Sequence, residues 1–243
     1  VLRLLRTAVR GPSGQGAWLV NAAAGAPVTL EWFDPRHWLA REAVFARHRG
    51  RGAVLGFEHQ GQRYLLRHYR RGGLAARFSA DRYLWLGEAR TRPLAEMKLL
   101  LHLHAAGLPV PRPVAVCYLR RGASYQGDII TSYLPGTRTL AELLAEGKPP
   151  LESWAAVGRT IRRFHEWGVD HADLNAHNVL LRDDGEVFLV DFDKARLRER
   201  PGIWRDANLA RLRRSLDALE DGRATRRFDD TQWQVLLAAW WHR

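Results

Sequence analysis

The chain is 243 residues long and 46% hydrophobic, enough to bury a substantial core as one compact domain or two small lobes. Its one cysteine, Cys117, excludes an internal disulfide, no Cys/His cluster has zinc spacing, and no apolar run approaches the roughly 20 residues of a membrane-spanning helix. The formal charge of +12 is carried almost wholly by arginine, with Lys98, Lys148 and Lys194 the only lysines, and it favours an anionic partner: phosphates, nucleic acid or an acidic membrane face.

The opening stretch, VLRLLRTAVRG, is too broken by arginine for the apolar core of a secretion signal, so a cytoplasmic protein is expected. Residues 1–46 show no clear periodicity beyond a short strand near Val28–Phe33. Between Asp34 and Arg47, Trp38, Val44 and Phe45 among charges suggest a small amphipathic helix. Two apolar runs, Val54–Phe57 and Tyr64–Tyr69, joined by His59, Gln60 and Gly61, predict a hairpin. Pro93–Ala106 reads as a helix, with Leu94, Met97, Leu101 and Ala105 at helical spacing, Glu96 in its first turn and Gly107 ending it. The prolines of LPVPRPVAV fix an extended path into a strand at Val114–Leu119, and a strand over Asp128–Leu134 leads to Pro135-Gly136.

Further on, Thr139–Ala145 predicts a short helix. Leu151–Trp167 predicts a longer one, with Trp154, Val157, Ile161, Phe164 and Trp167 on one face and Gly168 ending it. His171–Asp193 then reads as loop, strand, hairpin turn, strand, loop: Asp173 precedes Asn178 by five positions, Val179–Leu181 and Val187–Val190 flank a turn at Asp183, Asp184 and Gly185, and Asp191 follows. Two antiparallel strands return the chain to its starting end, so Asp191 is expected beside Asp173 and Asn178. This spacing suits phosphoryl transfer: one carboxylate orients a substrate hydroxyl and takes its proton, while an amide oxygen and a second carboxylate hold magnesium on nucleotide phosphates. Taken singly, Asp173 and Asn178 read better as turn caps.

After Asp193 a new helix, Ile203–Leu219, begins within about ten residues, leaving no long segment to seat a peptide; a small molecule, sugar or lipid headgroup is the expected acceptor. Leu209, Leu212, Leu216 and Leu219 mark its apolar face, and Arg205, Arg211, Arg213 and Arg214 its others. A last helix within Thr231–Arg243 carries Leu236, Leu237, Trp240 and Trp241. Both helices are expected either to pack the core with solvated arginines or to present an interfacial surface to anionic lipid.

The pattern H-x-D-x-x-x-x-N of His171, Asp173 and Asn178, followed by Asp191-Phe192-Asp193, resembles the protein-kinase-like superfamily, with Asp193 in place of the family glycine. With LLRHYRRGGLAARF, the helix and LPVPRPVA block, HADLNAHNVLL, DFDKARLR and NLARLRRSL, the resemblance narrows to the lipopolysaccharide kinase group over about residues 45–220, and most to its Kdo-phosphorylating members. It implies an α+β, protein-kinase-like two-lobed fold. The small antiparallel β-rich N-lobe spans about residues 28–134 and the mainly helical C-lobe about 137–243 of one kinase-like domain. It further implies Asp173 as catalytic base, His171 as a brace of the catalytic loop, Asn178 and Asp191 as Mg2+ ligands, and Arg67 with Glu96 as the phosphate clamp. Gly50 and Gly52 would form the phosphate cover, and backbone near Pro135-Gly136 would hold the adenine of ATP. The implied reaction is ATP-dependent phosphorylation of the 4-hydroxyl of a Kdo sugar on a lipid A precursor, on the cytoplasmic face of the inner membrane. An anionic membrane surface is then the expected partner, with no protein substrate and no nucleic acid. A heptose kinase of the same group would share the catalytic residues. An aminoglycoside-type phosphotransferase would favour an acidic pocket, and an Arg-rich nucleic-acid or membrane-binding module would bind DNA with steep salt dependence and turn over no ATP.

Overall fold

A computed structural model describes residues 3–11, 14–49, 53–70, 81–220 and 227–241. The chain divides into two compact units, Val1–Ala105 with Pro111–Tyr133, and Ala106–Val110 with Leu134–Arg243.

The first unit is built on an antiparallel sheet. Its strands are β1 (Leu4–Gly11), β2 (Gly14–Asn21), β3 (Val44–Arg49), β4 (Ala53–His59), β5 (Gln62–His68), β6 (Tyr83–Leu84), β7 (Pro113–Arg121) and β8 (Ser124–Ser132). They run in the order β1-β2-β7-β8-β5-β4-β3, with β6 also on β8. The expected hairpin around Gly61 is β4–β5. The N-terminal hairpin β1–β2 was not foreseen. Ala17, Leu19 and Asn21 alternate inward on β2, while β1 is an edge strand exposed along most of its length, so its sequence shows little apolar period.

One sheet face is covered by an aromatic layer. Trp32, Phe33 and Trp38 join Leu55, Phe57, Tyr64, Leu66, Ala115, Cys117 and Ile130 in one cluster. Trp38 stacks on Phe57 with ring centroids 3.9 Å apart and donates its indole N–H to the Trp32 carbonyl at 2.9 Å. This layer corrects the expectation of a strand at Val28–Phe33. A strand would send the neighbours Trp32 and Phe33 to opposite sides, whereas the 3-10 turn Leu30–Phe33 buries both. The helix expected within Asp34–Arg47 is only α1 (Pro35–Leu39), capped by the Asp34 carboxylate, which accepts from the Arg36 N–H at 2.9 Å; β3 begins at Val44. The predicted helix after Pro93 is α2 (Arg92–Ala105), which packs on β7 and β8. A Cβ at Gly127 on β8 would stand 2.5 Å from the Pro93 ring, so this glycine admits the start of α2.

The second unit is mainly helical. It contains β9 (Thr137–Thr139), α3 (Leu140–Glu146), α4 (Leu151–Glu166), β10 (Val169–Asp170), β11 (Val179–Arg182), β12 (Val187–Leu189), β13 (Arg196–Leu197), α5 (Trp204–Glu220) and α6 (Asp230–Trp241). A reciprocal cap starts α3: Thr139 Oγ1 accepts from the Glu142 N–H, and the Glu142 carboxylate accepts from the Thr139 N–H. Trp154, Val157, Ile161 and Phe164 bury one face of α4, Leu209, Leu212 and Leu216 one face of α5, and Leu236 anchors α6 against α4. Trp167, expected on the buried face, is 49% exposed at the helix end. Strands β12-β11-β9 form one small sheet and β10-β13 another. The α+β class read from the sequence is the class observed.

Candidate active site

The β11–β12 hairpin performs the return that the spacing predicts. Val179 pairs with Leu189, and the next residue out, Val190, donates its N–H to the Asn178 carbonyl at 3.1 Å, which sets Asp191 beside Asn178. The Asn178 side chain reaches the other way. Its Nδ2 donates to the Asp173 carbonyl at 2.9 Å, so the loop closes on itself and only the amide oxygen remains to act as an acceptor. Asn175 reinforces the same carbonyl through its own Nδ2 at 2.9 Å and accepts from the His177 N–H at 2.9 Å. Asp191 adopts a left-handed backbone, φ 64°, which Asp tolerates better than most non-glycine residues and which marks a constrained position.

His171 is fully enclosed. Its Nε2 lies 2.9 Å from the Val190 carbonyl and must carry the proton, while Nδ1 is buried without a partner. Burial lowers its pKa, the Val190 hydrogen bond opposing, so the ring is neutral near pH 7. The ring meets the Val190 backbone and packs on Phe192 with ring centroids 4.8 Å apart, which ties the start of this loop to the chain just before Asp191.

Sequence reasoning missed the groups that hold this loop from behind. Asn208, Arg211 and Ser215 fall at helical spacing on α5 and meet successive parts of the loop. Asn208 Oδ1 accepts from the His171 N–H at 2.9 Å, Arg211 stands 3.8 Å from Asp173 Oδ1, and Ser215 Oγ accepts from the Ala176 N–H at 3.1 Å. Asn208 Nδ2 also donates to Asp170 Oδ1 at 3.0 Å, and Arg198 forks onto Asp170 Oδ2 at 2.8 and 3.0 Å, so this buried carboxylate is both neutralised and hydrogen-bonded. Lys194 Nζ donates to Asp173 Oδ2 at 3.2 Å. The available signal was a set of polar positions 208, 211 and 215 threaded between the leucines of NLARLRRSL.

Of the four arginines off the apolar face of α5, expected either in solvent or at an anionic surface, Arg211 pairs with Asp173, Arg205 donates to the His165 carbonyl at 2.7 Å, and Arg213 bridges Asp217 and Asp230. Among the described residues Arg214 is the one of the four with no such contact.

In the first unit, Arg67 on β5 and Glu96 on α2 form the expected pair. Glu96 is 4% exposed and also accepts from the Tyr69 hydroxyl at 2.5 Å; the guanidinium lies over the Tyr69 ring, 4.8 Å from its centroid. Burying a carboxylate this deeply needs such partners. Gly50, Gly52 and the Arg71-Gly72-Gly73 stretch lie outside the described residues. Among the described residues no group of three or more His, Cys, Asp or Glu could cage a metal. An amide oxygen and one carboxylate fit the alternative case, a hard cation that keeps waters and phosphate oxygens as its other ligands.

The profile of the lipopolysaccharide kinase (Kdo/WaaP) family matches residues 36–240, and the chain belongs to that family of kinases. Its relatives include proteins named 3-deoxy-D-manno-octulosonic acid kinase. One from Xanthomonas campestris pv. campestris (strain B100) is 41% identical over 96% of this chain and 93% of its own length. One from Stenotrophomonas maltophilia (strain K279a) is 41% identical over 93% and 89%, and one from Xylella fastidiosa (strain 9a5c) is 43% identical over 83% and 80%.

Proposed function

We propose that this protein is a Kdo kinase, transferring phosphate from ATP to the 4-hydroxyl of a Kdo sugar on a lipid A precursor. The observation that carries the reading is near full-length identity of 41% to proteins bearing that name, in a chain whose catalytic loop closes through Asn178 onto Asp173. Asp173 orients the acceptor hydroxyl. The hydroxyl oxygen bonds the transferred phosphorus as the bond to the nucleotide's leaving oxygen breaks, and its proton passes to Asp173 and then to water. Asn178 and Asp191 hold Mg2+, which when bound neutralises charge on the nucleotide phosphates. Arg67, fixed by Glu96, contributes a second positive group for phosphate, and Gly50 and Gly52 the backbone cover. Because the transition state is loose, positioning and fixed charge supply most of the acceleration.

A glycolipid acceptor brings the enzyme to an anionic membrane surface. Among the described residues no helix is long and apolar enough to cross a membrane. Trp204 and Trp240 both pack on His165, which gathers the ends of α4 and α6 and the start of α5 in one place, and Trp167, Ile203 and Trp241 there are 49%, 88% and 75% exposed. That apolar rim, with the exposed Arg200 whose carbonyl accepts from the Trp204 indole N–H, suits a lipid headgroup layer. Labelled phosphate from ATP should pass to a Kdo-bearing lipid precursor, and not to heptosylated core lacking a free Kdo 4-hydroxyl or to aminoglycosides. Preferential labelling of either alternative would overturn the assignment.

A further inference from the structure

Two cations flank the carboxylate that the proposed reaction uses. Lys194 Nζ is 3.2 Å from Asp173 Oδ2, and the Arg211 guanidinium 3.8 Å from Oδ1. They reach it from separate elements. Lys194 sits in the turn after Phe192, whose carbonyl accepts from the Ala195 N–H at 2.9 Å. Arg211 projects from the face of α5 that Asn208 and Ser215 pin to the catalytic loop.

Neither pairing is a strong structural bond. The Lys194 and Arg211 side chains are 59% and 48% exposed, and ion pairs this open to water are weak. Among the described residues Asp173 is the one ion-pair partner of each, although an ammonium carries three N–H donors and a guanidinium five. Most of their capacity is therefore open to a ligand, and a ligand that took it would have to be anionic and would lie against Asp173.

We propose that Lys194 and Arg211 bind the carboxylate of a sugar-acid acceptor and thereby choose which hydroxyl meets Asp173. This rests on the assignment of Asp173 and of an acid sugar made above. A carboxylate and a hydroxyl on one small ring stand at a fixed separation, so fixing the first places the second. The incoming anion also competes for the two cations, and the Asp173 oxygen it releases accepts the hydrogen bond of the acceptor hydroxyl. A neutral sugar offers no such exchange. The nucleotide phosphates are the rival anion for the same two groups.

The test uses the full chain as wild type, Lys194→Met, Arg211→Met and the double variant, with an acid-sugar acceptor and the same acceptor converted to its neutral carboxamide. For the acid acceptor each substitution should raise acceptor KM about ten- to hundredfold and leave ATP KM unchanged. Conversion to the carboxamide should raise wild-type KM by a similar factor, and the variants should lose little more on it. Equal losses on both acceptors, or a rise in ATP KM instead, would overturn the proposal. The wild-type comparison stands whether or not a variant folds: equal KM for acid and carboxamide sinks this assignment alone, whereas no transfer to either sinks the kinase reading and this one with it.

Discussion

His165 shows how one buried side chain ties stability to pH. It is 2% exposed, its Nδ1 accepts the Trp240 indole N–H at 3.0 Å, and burial holds its pKa down at about 4. An unfolded imidazole titrates near 6.5. Above that value neither state binds the proton; between about 6.5 and 4 only the unfolded chain does, so stability falls as pH drops through this window, by up to about 3 kcal/mol. His171, lowered by burial as well, adds loss in the same direction. Asn at position 165 keeps an acceptor for Trp240 without a titrating group. His165→Asn should therefore flatten the fall in denaturation midpoint between pH 7 and 5; an unchanged slope would remove His165 as a source. Legibility at this scale divides by chemistry. The gathering of Asp173, Asn178 and Asp191 at one end of a hairpin was readable because two short apolar runs around a turn fix where the chain returns. Asn208 and Ser215 were not, because on sequence alone they are ordinary polar positions of a helix, and Lys194 was noted without a role.

Helices α4 and α6 meet closely enough to test element packing. A Cβ at Gly158 would stand 2.2 Å from the Leu236 carbonyl oxygen. In an unencumbered helix Gly→Ala gains about 1 kcal/mol. Here the added methyl meets backbone, which cannot rotate aside, so Gly158→Ala should destabilise by about 1–3 kcal/mol. Urea denaturation reads the sign directly, and a raised midpoint would mean that the helices part at no cost. Elements with a buried stripe, α2, α4 and α5, were legible from period alone. The β1–β2 hairpin was not, because β1 is an edge strand whose arginines face water; Arg6 pairs with Glu88 at 3.0 Å, a contact far apart in sequence. The aromatic segment around Trp32 and Trp38 was misread for a related reason: its regularity lies in the sheet face it covers and not in its own period.

At the scale of the whole molecule, the positive charge has more than one use. Arg198 and Arg213 are spent on carboxylates inside the second unit, so net charge by itself overstated the surface available to lipid. What the charge does sustain is a pair of cations, Lys194 and Arg211, beside the carboxylate that the proposed chemistry requires. The direct test of that chemistry is phosphate transfer from ATP to Kdo-bearing lipid precursor by the wild type and by Asp191→Ala, with each chain's folding checked by its thermal transition. Transfer by the wild type and its loss, by several orders of magnitude, in a folded Asp191→Ala is the expected result. Normal turnover in that folded variant would contradict the account.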